Sequence, residues 1–350
     1  MPQDIASLTE LWRGQGRMLI VVHDNPDPDA LGSACALALL ARATGNARSR
    51  ICCEGFIGRA ENRTLARELR LKLLPAARVN WKNWPVIALV DAQPSSGNNS
   101  FPSRTVPQII IDHHPELKLS RRARYVDIRP HYGSCASILV EYLTAAGVAI
   151  PPDLAAALCY SISTDTQDLV RAATPADVQA YVQLYPLADK RALGRILHPR
   201  LHHDYYSIVA RAILSSFTYA NIIGAHLGEI QHPDSVSLVA DLLLRHERMA
   251  WSFVTGVWKG ELCVSLRGLH GRGHAGTILR GILGKRGRGG GHGTMAGGKV
   301  SLAGMTLEQR EQLEKELALT LIRHLRHRED VTLRPLIGPM ELNEAFFKFV

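Results

Sequence analysis

The chain has 350 residues, too many for one typical domain and comfortable for two. Its 46% hydrophobic and 21% charged content excludes a disordered chain, and no apolar run is long enough to span a bilayer. A formal net charge of +9 favours an anionic ligand without naming one.

A short helix and lead-in over residues 1–17 precede the apolar run 18–22, which reads as a buried strand. The acidic loop His23-Asp-Asn-Pro-Asp-Pro-Asp-Ala30 follows, and a small-residue helix is expected over 30–45. His23, Asp27 and Asp29 are three potential metal ligands within seven residues, with Pro26 and Pro28 stiffening the turn. The plainer alternative is that Asp29 caps the following helix and Asp27 lies in a solvated turn.

A second strand is expected over 50–54, a helical segment over 62–73 and a buried strand over 86–90 that ends at Asp91. The Ser-, Asn- and Pro-rich stretch 92–107 reads as an exposed loop. Strand 108–111 then runs into Asp112-His113-His114-Pro115, and helices are expected over 134–147 and from Pro152 to about Thr166. Strands alternating with helices give an α/β fold built on a parallel sheet. His23, Asp91 and the Asp112–His114 run each follow a strand, and ligands of open α/β sheets bind at that carboxyl edge.

Residues 1–190 read as a first domain, 191–215 as a linker and 216–350 as a smaller α/β domain. His198, His202 and His203 are read as a polar linker face. Strand-like stretches at 217–223, 251–257 and 262–267 precede a glycine-rich segment, read on its own as a flexible loop with a solvated basic face. Leu307 to Arg323 has the spacing of an amphipathic helix. Between Glu261 and Glu308 the chain has no acidic residue, whereas Arg267, Arg272, Arg280, Lys285, Arg286, Arg288 and Lys299 all fall there. The six cysteines show no Cys-x-x-Cys spacing and are expected to be buried, reduced thiols. With no basic-then-apolar opening segment, a cytoplasmic location without a membrane partner is expected.

The set HDNPDPDA, Asp91, DHHP at 112–115 and STDT at 163–166 resembles the ordered motifs of the DHH phosphoesterase superfamily. Gly289–Gly298, reading GGGHGTMAGG, is similar to the signature of its DHH-associated C-terminal domain, and the whole is most like the stand-alone nanoRNase/pAp-phosphatase type. The resemblance implies two Mn2+ ions, or Mg2+, and an active site in a cleft between the two domains. His23 and Asp27 would hold one metal, and Asp29, His113 and Asp165 the other, with Asp91 bridging. It further implies His114 as a phosphate ligand or general acid, Asp112 as the residue orienting a neighbouring histidine, and Arg267, Gly290, Gly291 and His292 as substrate-phosphate contacts. Ser134 falls at a small-hydroxyl position near such sites, although capping of a helix explains it equally well.

Two departures from the family pattern bear on substrate: the Thr166–Arg171 run with its Asp168, and the Gly- and His-rich segment 270–280. The implied activity is hydrolysis of short oligoribonucleotides or linear dinucleotides, or of 3′-phosphoadenosine 5′-phosphate, by a homodimer. The alternatives are a cyclic-dinucleotide phosphodiesterase and a non-catalytic nucleotide-binding regulator. Filled metal positions argue against the regulator, and a 6% aromatic content argues against a general stacking platform for nucleic acid.

Overall fold

The computed structural model describes residues 5–45, 47–170, 173–269, 274–326 and 331–337. Arg272, the first part of segment 270–280, Arg171 and residues 338–350 lie outside the described residues, as does the side chain of His292. The chain divides into two compact units, Met1–Arg200 and Leu201–Val350.

In the first unit the elements are α1 (Ile5–Glu10), β1 (Arg17–Val21), α2 (Pro28–Gly45), β2 (Arg48–Cys53), α3 (Ala60–Glu68), β3 (Leu74–Pro75), β4 (Val86–Val90), β5 (Ile109–Asp112), β6 (Tyr125–Ile128), α4 (Cys135–Ala145), α5 (Pro152–Thr166), α6 (Pro175–Leu187) and α7 (Lys190–Leu197). Its six strands form one sheet in the order β3-β2-β1-β4-β5-β6, and every neighbouring pair is parallel. Parallel strands covered on both faces read as unbroken apolar runs, as β1 and β4 do. Alternation still sorts them: Met18, Ile20 and Val22 enter the core beneath α2, α4 and α5, while Leu19 and Val21 face a second core with Leu89 and Phe101. Strand order reverses between β1 and β4, and at such a switch point the connecting loops diverge and open a crevice. The loops that carry His23 and Asp91 leave these two strands.

Two helices stand where the sequence reading has a linker. Leu193 and Ile196 of α7 join the first core, and Arg195 makes a two-pronged bond to Glu68 at 2.8 Å through each nitrogen. The second unit begins with α8 (His203–Ser215), whose N-cap is His202, and whose Ile208 and Ala212 belong to a core of that unit.

The rest of the second unit is β7 (Phe217–Tyr219), β8 (Ile222–Glu229), α9 (Ser235–Leu243), β9 (Trp251–Trp258), β10 (Glu261–Gly268), α10 (Ala275–Leu283), β11 (Gly287–His292), β12 (Met295–Ser301), α11 (Leu307–Arg326) and β13 (Arg334–Pro335). A seven-stranded sheet runs β11-β12-β10-β9-β8-β7-β13, mixed because β8 and β9 are parallel. The glycine-rich segment is therefore not a loop: β11 and β12 are an antiparallel pair, in register from Gly287↔Val300 to His292↔Met295.

Close helix packing accounts for several of those glycines. A Cβ on Gly289 or Gly298 would lie 2.8 or 2.6 Å from Leu283 Cδ1, and one on Gly276 would lie 2.2 Å from the Gly291 carbonyl oxygen. Helix α10 thus sits directly on bare backbone. Gly276→Ala would force that backbone contact apart, and a loss of about 1–3 kcal/mol is expected from the second unit. Urea transitions followed by hydrogen exchange at β9 and β10 would read it; an unchanged transition would contradict the packing account. No described helix is long and apolar enough to cross a membrane.

Candidate metal centre

The six side chains of the cluster are delivered by five segments of the first unit. His23 and Asp27 come from the loop after β1, Asp29 from the first turn of α2, and Asp91 from the residue after β4. His113 follows β5, and Asp165 sits in the last turn of α5. Donor atoms from these residues form three overlapping groups: His23–Asp27–Asp91, Asp29–His113–Asp165 and Asp91–His113–His114, each with its atoms within 4.8 Å of one another.

Both inward-facing histidines are set by a backbone carbonyl. His23 Nδ1 lies 3.0 Å from the Asp24 carbonyl and His113 Nδ1 lies 3.2 Å from the Tyr132 carbonyl. A carbonyl only accepts, so each ring bears a proton on Nδ1 and turns Nε2 inward, an arrangement typical of metal-ligating imidazoles once Nε2 is deprotonated. His23 Nε2 is 3.5 Å from Asp27 Oδ1 and 3.6 Å from Asp91 Oδ2. His113 Nε2 is 3.4 Å from Asp91 Oδ1, 3.5 Å from Asp165 Oδ2 and 3.8 Å from Asp29 Oδ2.

These separations exceed good hydrogen-bond lengths. They match what two ligand atoms show when both sit roughly 2.1 Å from one divalent cation. Asp91 Oδ1 and His113 Nε2 are also buried and make no hydrogen bond to any described residue. Buried polar atoms left this way are expensive, and a cation would satisfy both. The donor set therefore fits a divalent metal, and the two oxygens of Asp91 face opposite histidines.

Asp29 is fully buried and does cap a helix, but not its own. Its Oδ2 accepts from Cys135 N–H at 2.7 Å and its Oδ1 from Ala136 N–H at 2.8 Å, at the start of α4. Asp27 Oδ1 accepts from Ala30 N–H at 3.0 Å and so caps α2. Neither cap excludes a metal, because each carboxylate oxygen has more than one lone pair.

Asp112, buried at the end of β5, works on His114. Its Oδ1 accepts from the backbone N–H groups of His113 and His114 and lies 2.9 Å from His114 Nδ1. Its Oδ2 accepts from Gln93 Nε2 at 2.7 Å. Gln93 gives no sequence signal, because its partners lie 19 or more positions away; its Oε1 is itself held by Leu117 N–H and the Ser120 hydroxyl. The carbonyl of Tyr132 is likewise invisible to a reading of side chains.

Ser134 is fully buried as the N-cap of α4, accepting from Ser137 N–H. Asp168 accepts from the Ser163 hydroxyl in a left-handed turn, Gln167–Leu169, that ends α5. In the second unit Arg267 is opposite Met295, which is opposite His292, so these residues share one end of the sheet. The Arg267 guanidinium bonds Asp241 Oδ1 through Nε at 2.7 Å and donates to the Ala296 carbonyl. A side chain on Gly290 would meet nothing within 4 Å, whereas one on Gly291 would meet the Met295 carbonyl at 2.1 Å. Of the basic run, Arg286 pairs with Glu316 and Lys299 with Glu261.

Charge in the cluster is strongly coupled. Burial disfavours a charged ring, yet Asp27 and Asp91 raise His23 to about 10. His113, buried likewise, is raised to about 11 by Asp91, Asp29 and Asp165. Asp29 is pushed up to about 7 by burial and by the neighbouring charge of Asp91. At neutral pH both rings therefore hold protons on the nitrogens that a cation must take, so binding releases protons and strengthens as pH rises. Mn2+ affinity is expected to climb between about pH 6 and pH 9, with more than one proton released per chain. Calorimetry in buffers of different ionisation enthalpy counts those protons, and an affinity that fell with pH would contradict the assignment.

Residues 17–162 match the model of the DHH family, N-terminal domain, and residues 215–321 match that of the DHHA1 domain. An uncharacterized protein of Methanocaldococcus jannaschii is 36% identical over 288 residues, which cover 81% of this chain. The match spans only 58% of that relative's length. Among solved structures, an exopolyphosphatase-related protein from Bacteroides fragilis is similar with a TM-score of 0.75 at 16% identity, covering 92% of this chain and 96% of its own. The exonuclease RecJ bound to manganese is similar with a TM-score of 0.50 at 15% identity, over 93% and 94% of the two chains. At these identities the likeness is one of fold.

Proposed function

We propose, for a chain that belongs to the DHH family and carries its N-terminal and DHHA1 domains, a two-metal phosphoesterase that hydrolyses short oligoribonucleotides or linear dinucleotides. The observation that carries this reading is the placement of Asp91, with Oδ2 toward His23 and Oδ1 toward His113. One carboxylate between two half-sites is what a pair of cations acting on one phosphate requires. When bound, such a pair supplies an activated water and neutralises both the attacking and the leaving oxygen. The mixed imidazole and carboxylate donors suit Mn2+, with Mg2+ as the harder alternative.

The chain's own residues then divide the remaining work. His23 and Asp27 hold one half-site, and Asp29, His113 and Asp165 the other. His114 is raised above its usual pKa by its bond to Asp112, against the effect of burial. It is thereby kept as a proton donor, and the reading assigns it the phosphate or the leaving oxygen. Arg267, its planar fork steadied by Asp241, is assigned the substrate's terminal phosphate, together with the β11 backbone at Gly290 and Gly291. Recognition of an end favours short substrates and 3′-phosphoadenosine 5′-phosphate over long strands.

The test is hydrolysis by the purified, Mn2+-loaded protein of four substrates at equal concentration. These are a 5′-phosphorylated dinucleotide, a long RNA strand, 3′-phosphoadenosine 5′-phosphate and cyclic di-AMP. Preference for the dinucleotide is expected, and Arg267→Ala should raise its KM roughly 10–100-fold, the worth of one charge-assisted contact, with kcat nearly unchanged. A preference for the cyclic substrate would reassign the chain to cyclic-dinucleotide turnover. Metal binding without any turnover would make it a nucleotide-binding regulator.

A further inference from the structure

Between β6 and α4 an ionic knot, buried at Arg129 and Asp127 and half-buried at Glu141, holds the backbone that touches the second half-site. Arg129 bonds Asp127 through Nε and a terminal nitrogen at 2.8 and 2.7 Å, and Glu141 through its other terminal nitrogen at 2.7 Å. Its guanidinium also lies 4.9 Å from the centre of the Tyr132 ring, whose hydroxyl donates to Glu141 at 2.6 Å. The Tyr142 hydroxyl donates to Asp127 at 2.6 Å and closes the knot. A guanidinium bonded to two carboxylates and stacked on a ring has one geometry open to it.

What the knot holds is a run of backbone groups aimed at the cluster. Arg129 N–H donates to the Asp112 carbonyl, and Tyr132 N–H donates to the Arg129 carbonyl, each at 2.9 Å. The Tyr132 carbonyl fixes His113, and three residues on, Cys135 N–H and Ala136 N–H fix Asp29. Between them Gly133 N–H donates to the buried Asp177 at 2.9 Å. His23 depends on another brace altogether. Asp24, whose carbonyl meets the His23 ring, is tied to Asn98, Glu54 and Ser100 in other loops.

We infer that Arg129 is a positioning residue for one half-site only: it locks the Tyr132–Ala136 backbone and through it the pair Asp29 and His113, leaving His23 to the brace through Asp24 and Asp27 to its bond from Ala30 N–H. This rests on the two-metal reading. It assigns the two cation positions different supports, so a single remote substitution should separate them.

The experiment is Mn2+ binding to the full chain, followed by electron paramagnetic resonance and calorimetry for stoichiometry and stepwise affinity, with circular dichroism as the folding check. Wild type is expected to bind two ions. In Arg129→Lys, which keeps the charge but loses the fork, one site should weaken roughly 10–100-fold while the other keeps its affinity. If Arg129→Lys fails to fold, Tyr132→Phe removes only the hydroxyl bond to Glu141 and should give a several-fold loss at the same single site. Two sites of unchanged affinity, or two weakened alike, would overturn the inference while leaving the two-metal reading intact. A wild type that binds no Mn2+ would overturn that reading first, and the inference with it.

Discussion

Asp91→Asn is expected to abolish turnover and to weaken both Mn2+ sites together. Asparagine is the informative replacement because Asp91 has a φ of 53°, in the left-handed region that Asn tolerates and Ala does not. A failure of Asp91→Ala would mix backbone strain with lost ligation; Asp91→Asn leaves the strain out. An amide offers one oxygen where the carboxylate offers two, so it can serve one histidine's half-site and turns an N–H2 group toward the other. Charge stabilisation by a metal pair is worth several kcal/mol, and about 1.4 kcal/mol is a factor of ten, so the rate should fall at least on the order of 10³-fold. Wild-type turnover in a folded Asp91→Asn protein would sink the shared-ligand assignment.

Why Asp91 is legible in the sequence, and Gln93 two residues later is not, is a matter of range. A buried parallel strand is an apolar run, and an acid or histidine closing such a run stands out, as at His23, Asp91 and Asp112. The alternation of those runs with helices gives the parallel sheet, and the sheet alone brings their carboxyl ends together. Gln93 lies in a polar stretch and acts through Asp112, Leu117 and Ser120, contacts that only the folded chain defines. Asp29 shows the same limit more sharply: the sequence offers it as a ligand or as a cap on the helix that follows it, and the helix it caps begins 106 positions away.

The glycine-rich segment misleads for a different reason. Glycine has poor strand propensity and reads as a loop. Here pairing with β12 supplies the strand, and the missing side chains at Gly289 and Gly298 let α10 settle on the sheet. The motif that the resemblance links to phosphate is therefore also a packing device, with Gly290 and Gly293 the glycines nothing crowds. The histidine- and arginine-rich run around Pro199 is exposed and holds the boundary between the two units, while α7 and α8 on either side of it, inside the span read as linker, each bury one apolar face.

Asp112→Asn is expected to cut kcat roughly 10²–10⁴-fold, the range for a lost general acid, while two Mn2+ ions still bind. Asp112 belongs to none of the three donor groups, so metal stoichiometry is not its concern. Its Oδ1 gathers the His113 and His114 backbone donors and the His114 ring, and its Oδ2 takes the Gln93 amide. An asparagine keeping its oxygen on the three donors must set its own N–H2 against that of Gln93, a buried clash of donors at 2.7 Å. Gln93 cannot turn over to relieve it without releasing Leu117 N–H and the Ser120 hydroxyl, each at 2.8 Å. Stability should fall by about 1–3 kcal/mol for the unsatisfied pair, and the charge that keeps His114 protonated is gone. Adding Gln93→Glu separates the two effects. A glutamate can accept from the introduced amide and still hold Leu117 and Ser120, so most of the stability should return, less the Gln93 contact to the Pro115 carbonyl at 3.1 Å. The rate should not return, because the negative charge then lies one residue too far from His114. Recovery of kcat in the double variant would mean that Asp112 contributes shape alone, and that His114 needs no charge beside it.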